Sequence, residues 1–164
     1  MRRQDREITD IDEKIKIIDK CKVCRIGICD GDQPYIVPLN FGYTFENASL
    51  TLYFHGALEG RKIDLLRKNN RVCFELDCGH ELLEGKEAAE YSYAFESIIG
   101  FGKMFFLETA EDKTAGLRIL MKHQTGKDFD QFSGQTLAVT AVYKMAVDSF
   151  TGKRRAGRKE REEF

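Results

Sequence analysis

Leu50-Thr51-Leu52-Tyr53-Phe54-His55-Gly56-Ala57-Leu58-Glu59-Gly60-Arg61-Lys62 is the stretch on which the reading of this chain turns. Apolar and polar residues alternate through Phe54 with the period of a strand. A histidine follows, then Gly56 and Gly60 with three residues between them, then an Arg-Lys pair. Ile63, Asp64, Leu65, Leu66, Arg67 and Lys68 continue as an amphipathic helix. A strand that passes through a glycine loop into a first helical turn presents unpaired backbone N–H groups at a positive dipole end. Cations at that turn oppose the dipole, so Arg61 and Lys62 do nothing for the helix itself. They make sense around a dianionic phosphate, and the segment reads as a phosphate-binding corner. The competing reading is a solvated basic helix start behind a structural turn.

A nucleoside-triphosphate loop does not fit the spacing. A Walker A motif has four residues between its glycines, then Lys and a hydroxyl residue for magnesium. Here the spacer is three residues, Arg follows the second glycine, and neither Lys62 nor Ile63 after it is the Ser or Thr needed.

The 164 residues suit one domain, long enough to bury a core without disulfides or metals. Hydrophobic residues at 42% and charged residues at 32% describe an ordinary soluble protein. A net charge of -1 argues against a general nucleic-acid binder, whose affinity rests on a basic surface. No apolar run approaches the ~20 residues of a membrane helix. The charged start Met1-Arg2-Arg3-Gln4-Asp5-Arg6-Glu7 lacks the apolar stretch of a signal peptide, so a cytoplasmic location is expected. The cysteines are Cys21, Cys24, Cys29, Cys73 and Cys78, an odd number in such a chain, which disfavours a disulfide framework. Cys21 and Cys24 have metal or redox spacing, and Cys78-Gly79-His80 would complete a ligand set. No second C-x-x-C exists, however, and Cys24, Cys29 and Cys73 lie in apolar runs where cysteine acts as a small hydrophobe. No metal site is expected.

The first helix starts at Asp10, with Glu13 completing a capping box and Ile11, Ile15 and Ile18 at helical spacing. Val23 to Cys29 reads as a strand, Asp30-Gly31 as a hairpin turn, and Gln33 to Tyr43 as the partner strand. Pro38 cannot donate to a ladder, so this strand is bulged or at an edge there. Leu50 to Phe54, Val72 to Leu76, Tyr93 to Leu107 and Thr136 to Val147 are further strands. Gly100 and Gly102 suggest a kink or a close backbone approach. Gly79 to Glu90 is charged and reads as a loop or loose helix. Glu96 reads either as a buried acid near a cofactor or as an exposed bulge residue. A third helix runs from Thr109 and Asp112 to a stop at Gly126, with His123 a helix-terminal cation. Residues 1–150 form a single domain, and 151–164 form a basic tail that is mobile at its end. About six strands outnumber the helices without alternating with them, which favours an antiparallel barrel with helices outside it. Side chains fill so small a barrel, so a ligand larger than a base sits outside it, in a cleft between two subunits.

Several blocks together carry a resemblance. They are Cys24-Arg25-Ile26-Gly27, Pro34-Tyr35-Ile36-Val37-Pro38-Leu39-Asn40-Phe41-Gly42, Tyr53-Phe54-His55-Gly56-Ala57, Gly60-Arg61-Lys62 and Ile99-Gly100-Phe101-Gly102-Lys103. In order and spacing the chain, from about Met1 through Lys153, resembles the 5-nitroimidazole-resistance branch of the pyridoxamine 5′-phosphate oxidase-like flavoproteins. The resemblance implies a split β-barrel with flanking helices, an FMN cofactor, and a homodimer with the cofactor at the subunit interface. It implies that Arg61 and Lys62 hold the FMN phosphate, and that Pro38, Leu39, Asn40 and Phe41 run beside the isoalloxazine ring. His55 matches the active-site histidine of that branch, and Ser97 adds a polar contact to the cofactor. The substrate-binding Arg and His set of true pyridoxamine-phosphate oxidases is not found near the C-terminus, so vitamin B6 oxidation is not expected. The function expected is an FMN-dependent oxidoreductase acting on small electron-poor molecules such as nitroaromatics. The alternatives are a non-catalytic flavin- or haem-binding module on the same barrel and, from Cys21 and Cys24 alone, a zinc or redox protein.

Overall fold

The computed structural model describes residues 3–157. Eight strands form one sheet: β1 (Glu7–Ile8), β2 (Val23–Asp30), β3 (Gln33–Asn40), β4 (Gly42–Glu46), β5 (Ser49–Ala57), β6 (Arg71–Leu83), β7 (Ser92–Leu107) and β8 (Thr140–Arg155). The helices are α1 (Ile11–Lys20), α2 (Arg61–Lys68), α3 (Ala110–Thr125) and α4 (Gly134–Val139). In hydrogen-bonding order the strands read β3-β2-β6-β7-β8-β5-β4, with β1 added to β8. The architecture is mainly antiparallel β with flanking helices, as expected. Contacts divide the chain into two compact units, one of residues 22–74 and 100–149, the other of residues up to 21, 75–99 and from 150 onward.

In the first of these units β2 alternates inward Cys24, Ile26 and Ile28 with outward neighbours, and Leu52, Phe54, Phe74, Tyr143 and Met145 fill the same core. The hairpin turn is Gly31-Asp32, one residue later than expected, because Asp30 still pairs with Gln33 and Gly31 takes φ +65°. The expected strand from Gln33 to Tyr43 breaks at Phe41, whose side chain turns fully into the core. A Cβ on Gly42 would lie 2.4 Å from the Leu120 Cα, so α3 rests directly on that backbone. Gly102 likewise allows close approach, since a Cβ there would meet the Ala146 carbonyl oxygen at 2.2 Å. Helix α3 begins and ends as read: the Thr109 hydroxyl caps the Asp112 N–H and Gly126 closes it at φ +72°.

The strand expected from Thr136 to Val147 starts only at Thr140, and residues 136–139 belong to helix α4 instead. The Ser133 hydroxyl accepts from the Thr136 N–H at 3.1 Å, and Lys113 Nζ donates to the Leu137 and Thr140 carbonyls at 2.9 and 3.0 Å. A capped start and a satisfied end outweigh the alternation.

In the other unit Asp10 caps α1 through the Asp12 and Glu13 N–H groups, and Ile17, Ile18, Leu76, Leu83 and Ile98 form the core. The segment expected as a loop or loose helix from Gly79 is strand as far as Leu83, whose burial anchors it; a 3-10 turn spans Ala88–Glu90. Glu96 is buried at 7% exposure and accepts from Lys20 Nζ at 2.8 Å and Arg154 Nε at 2.7 Å. Burial alone would raise its pKa, but those two hydrogen bonds outweigh it and hold the carboxyl below its ordinary value. Strand β8 carries the chain to Arg155, into the stretch expected as tail; residues 158–164 lie outside the described residues.

Candidate functional site

Strand β5 does not stop at Phe54. Its pairing with β8 continues through His55↔Val142, Gly56↔Ala141 and Ala57↔Thr140. Strand alternation buries Leu52 and Phe54 and leaves His55 exposed on the opposite face. Leu58 to Gly60 then bend into α2, where Gly60 is the N-cap at φ +119° and ψ 165°, a conformation essentially reserved for glycine. Its carbonyl accepts the Ile63 and Asp64 N–H groups at 2.8 and 3.1 Å. Buried Ile63, Leu65 and Leu66 hold α2 down.

Lys62 lies one turn before Leu65 and Leu66 on the same helix face, so its stem is drawn inward. Its Nζ stands 5.5 Å from the centroid of the fully buried Tyr143 ring. Gly56 makes the room: a Cβ there would lie 2.9 Å from Lys62 Nζ. The ammonium is half-buried, and among the described residues no acid is paired with it. Burial pushes its pKa down from the usual lysine value. His55 is also lowered, first by burial and then by the charge of Lys62. The Tyr143 hydroxyl donates to the His55 carbonyl at 3.4 Å, and burial pushes this phenol far up.

Arg61 is placed differently. Its Nε donates to Asp30 Oδ2 at 2.9 Å, and its guanidinium lies 4.7 Å from the Tyr35 ring centroid. Both partners come from the β2–β3 hairpin, which brings β3 against the start of α2. Asp30 reads in sequence only as a turn residue and Tyr143 only as strand core, so neither signals a place in this corner.

Pro38 and Leu39 face Arg25 and Cys24 across the β2–β3 ladder. Phe41 is fully buried, its ring 4.7 Å from that of His123. Asn40 Nδ2 donates to the Lys22 carbonyl and to Gln124 Oε1, both at 3.3 Å. The structure thus gathers His55, Arg61 and Lys62 at one end of β5. Ser97 belongs to the other unit, where it lines a cleft of about 320 Å³ with Ile99, Thr151 and Lys153. None of the five cysteines is in a disulfide. Cys21 and Cys24 are both buried, and the Cys78 thiol donates to Glu96 Oε2 at 3.6 Å. Among the described residues no group of three or more His, Cys, Asp or Glu side chains is arranged to hold a metal ion. Among them, too, no helix is long and apolar enough to cross a membrane.

The geometry fits a small anion: a half-buried ammonium stands beside a glycine-capped helix start, with the Arg61 guanidinium held nearby on the hairpin by Asp30, and a Cβ on Gly60 would touch nothing within 4 Å. The sequence profile of the family described as pyridoxamine 5′-phosphate oxidase matches residues 10–154. A candidate 5-nitroimidazole antibiotic resistance protein from Bacteroides thetaiotaomicron is 39% identical, with a TM-score of 0.78 over 90% of this chain and 86% of that one. The fold is also shared with an FAD- and haem-binding protein from Mycobacterium smegmatis, at TM-score 0.80 and 16% identity over 93% and 74% of the two chains. A flavocytochrome from Azotobacter vinelandii aligns at TM-score 0.78 and 18% identity over 96% and 72%. No curated protein matches the chain significantly.

Proposed function

The chain belongs to the pyridoxamine 5′-phosphate oxidase family, and we propose that it binds FMN as a homodimer and works as an oxidoreductase on small electron-poor molecules such as nitroaromatics. The observation that carries the reading is Lys62, a half-buried ammonium set among Gly56, Tyr143 and the first turn of α2 with no acid against it. Burying an unmatched cation is costly, so the site is poised for an anion that restores its charge. In this reading Lys62 and Arg61 hold the phosphate. Pro38, Leu39, Asn40 and Phe41 border the ring through their backbone. His55, exposed and with its pKa lowered, holds or moves a proton at an imidazole nitrogen near neutral pH. The flavin, when bound, supplies the redox chemistry.

A dimer is supported by apolar side chains left on the outward sheet face. Ile36 is 65% exposed, Phe101 58% and Phe105 43%. Phe101 also lines a largely apolar cleft of about 390 Å³ with Gly27, Cys29, Pro34 and Cys73. The relatives that bind FAD or haem at the same fold keep a binding module as the second outcome of the test.

The test begins with the visible spectrum of freshly purified protein and titration of apoprotein with FMN and riboflavin. A flavin spectrum, tighter binding of FMN than of riboflavin, and a dimer by light scattering are expected. Flavin-dependent NADH or NADPH consumption with a nitroaromatic acceptor then separates an enzyme from a binding module. Equal affinity for the two flavins would overturn the phosphate reading, and a monomeric holoprotein the shared cofactor site.

A further inference from the structure

We infer that Gln124, at the end of α3, is a positioning residue for the ring-side segment of the proposed flavin site, a reading that rests on that site being one. Nothing in the sequence marks this glutamine, which follows His123 in the last turn of a surface helix. Its side chain nevertheless ties three pieces of chain together. Nε2 donates to the Phe41 carbonyl at 2.7 Å and to the Lys22 carbonyl at 3.1 Å. Oε1 accepts from Asn40 Nδ2 at 3.3 Å. One primary amide thus uses a hydrogen and its oxygen on the break between β3 and β4 and its other hydrogen on the start of β2.

The surroundings prevent the clamp from sliding. Lys22 Nζ donates to the His123 carbonyl at 2.7 Å, so the same helix end is held from the other side. The His123 ring lies 4.7 Å from the Phe41 ring and 5.2 Å from that of Tyr43. Gly42 lets the α3 backbone come down where any side chain would collide with Ile119 and Leu120. Phe41 lies between the last β3 pair, Asn40↔Val23, and the first β4 pair, Gly42↔Tyr53, outside both ladders, and α3 holds it there.

Two consequences follow for the site. The Phe41 carbonyl and Asn40 Nδ2 are engaged within the protein, so these two groups hold the segment in place and leave its other backbone groups to border the ring. Removing the clamp should also disturb the ring side of the site while leaving the phosphate corner at Lys62 intact.

The experiment measures FMN and riboflavin affinity, and the visible spectrum of the bound flavin, for wild type, Gln124→Met, Lys22→Met and Lys62→Met. Gln124→Met keeps the length of the side chain and removes its hydrogen bonds. It should weaken both flavins by the same factor, about tenfold for two lost hydrogen bonds to carbonyls. The bound flavin's visible band should shift. Lys22→Met loosens the helix end from the surface and should give a smaller parallel loss; it decides the matter if Gln124→Met does not fold. Lys62→Met should spare riboflavin. Wild-type affinities and spectrum in the folded variants, or a loss confined to FMN, would overturn the assignment. A wild-type protein that binds neither flavin would instead overturn the flavin reading itself, and this inference with it.

Discussion

Replacing Lys62 by Met is the sharpest perturbation of the corner, because it should act in opposite directions on apoprotein and complex. Methionine preserves the apolar stem against Tyr143 and removes only the charge. In the apoprotein that charge is half-buried, and burial has lowered its pKa from 10.5. A group with a depressed folded pKa contributes stability that is present above its unfolded pKa and lost as pH falls through the folded one. Wild type should therefore gain stability as pH rises toward 10.5, whereas the variant should show no such slope and be at least as stable at pH 7. In the proposed FMN complex the same charge would hold the phosphate. A hydrogen bond between charged groups contributes about 1.5–3 kcal/mol, so the FMN Kd should rise about 10- to 150-fold while riboflavin binding stays nearly unchanged. Arg61 supplies the internal comparison. It is 55% exposed on its side chain and already paired with Asp30, so a phosphate only exchanges one partner for another. Arg61→Ala should cost no more than about fivefold. Calorimetric titration of both flavins and thermal melts of the apoproteins from pH 7 to 10.5 check these values. Equal losses of FMN and riboflavin, or a larger effect at Arg61 than at Lys62, would refute the reasoning.

Asp30→Asn should release Arg61 toward a phosphate and tighten FMN severalfold without altering riboflavin, as read by the same titration. His55→Ala should keep the fold and most of the FMN and lose turnover, since the side chain is exposed and not part of the core. Because the His55 pKa is lowered from 6.5 by burial and Lys62, wild type should lose stability as pH falls below 6.5 through the folded value, and His55→Gln should lose less; chemical denaturation at several pH values measures this. Glu96→Gln leaves Lys20 and Arg154 facing a neutral amide in place of a buried carboxylate. It should destabilise the protein by about 3 kcal/mol near neutral pH. The folded Glu96 pKa lies below 4.5, so the wild-type advantage should be present above 4.5 and fade as pH falls through the folded value, in urea melts of both proteins.

Local chemistry determined more of this protein than its fold class alone. The cap at Asp10, the start of α3 at Thr109 and its stop at Gly126 are each written within four or five residues and needed nothing from the rest of the chain. The alternation of β2 and β7 and the helix behind Gly60 were legible for the same reason, since backbone period and side-chain direction are local properties. The Ser133 cap was local as well, but the alternating run from Thr136 masked it. What depended on distant partners could not be read. His55, Gly56 and Ala57 are strand only because β8 supplies Val142, Ala141 and Thr140 to pair with them. Lys62 is a half-buried cation rather than a solvated helix start only because Tyr143 lies beneath it and Gly56 leaves the space. Arg61 meets Asp30 through the hairpin, and Gln124 meets Phe41 through the seating of α3 on Gly42. A sequence displays residue types and their spacing; burial, and with it charge state and partner, arises only where segments far apart in the chain are packed together.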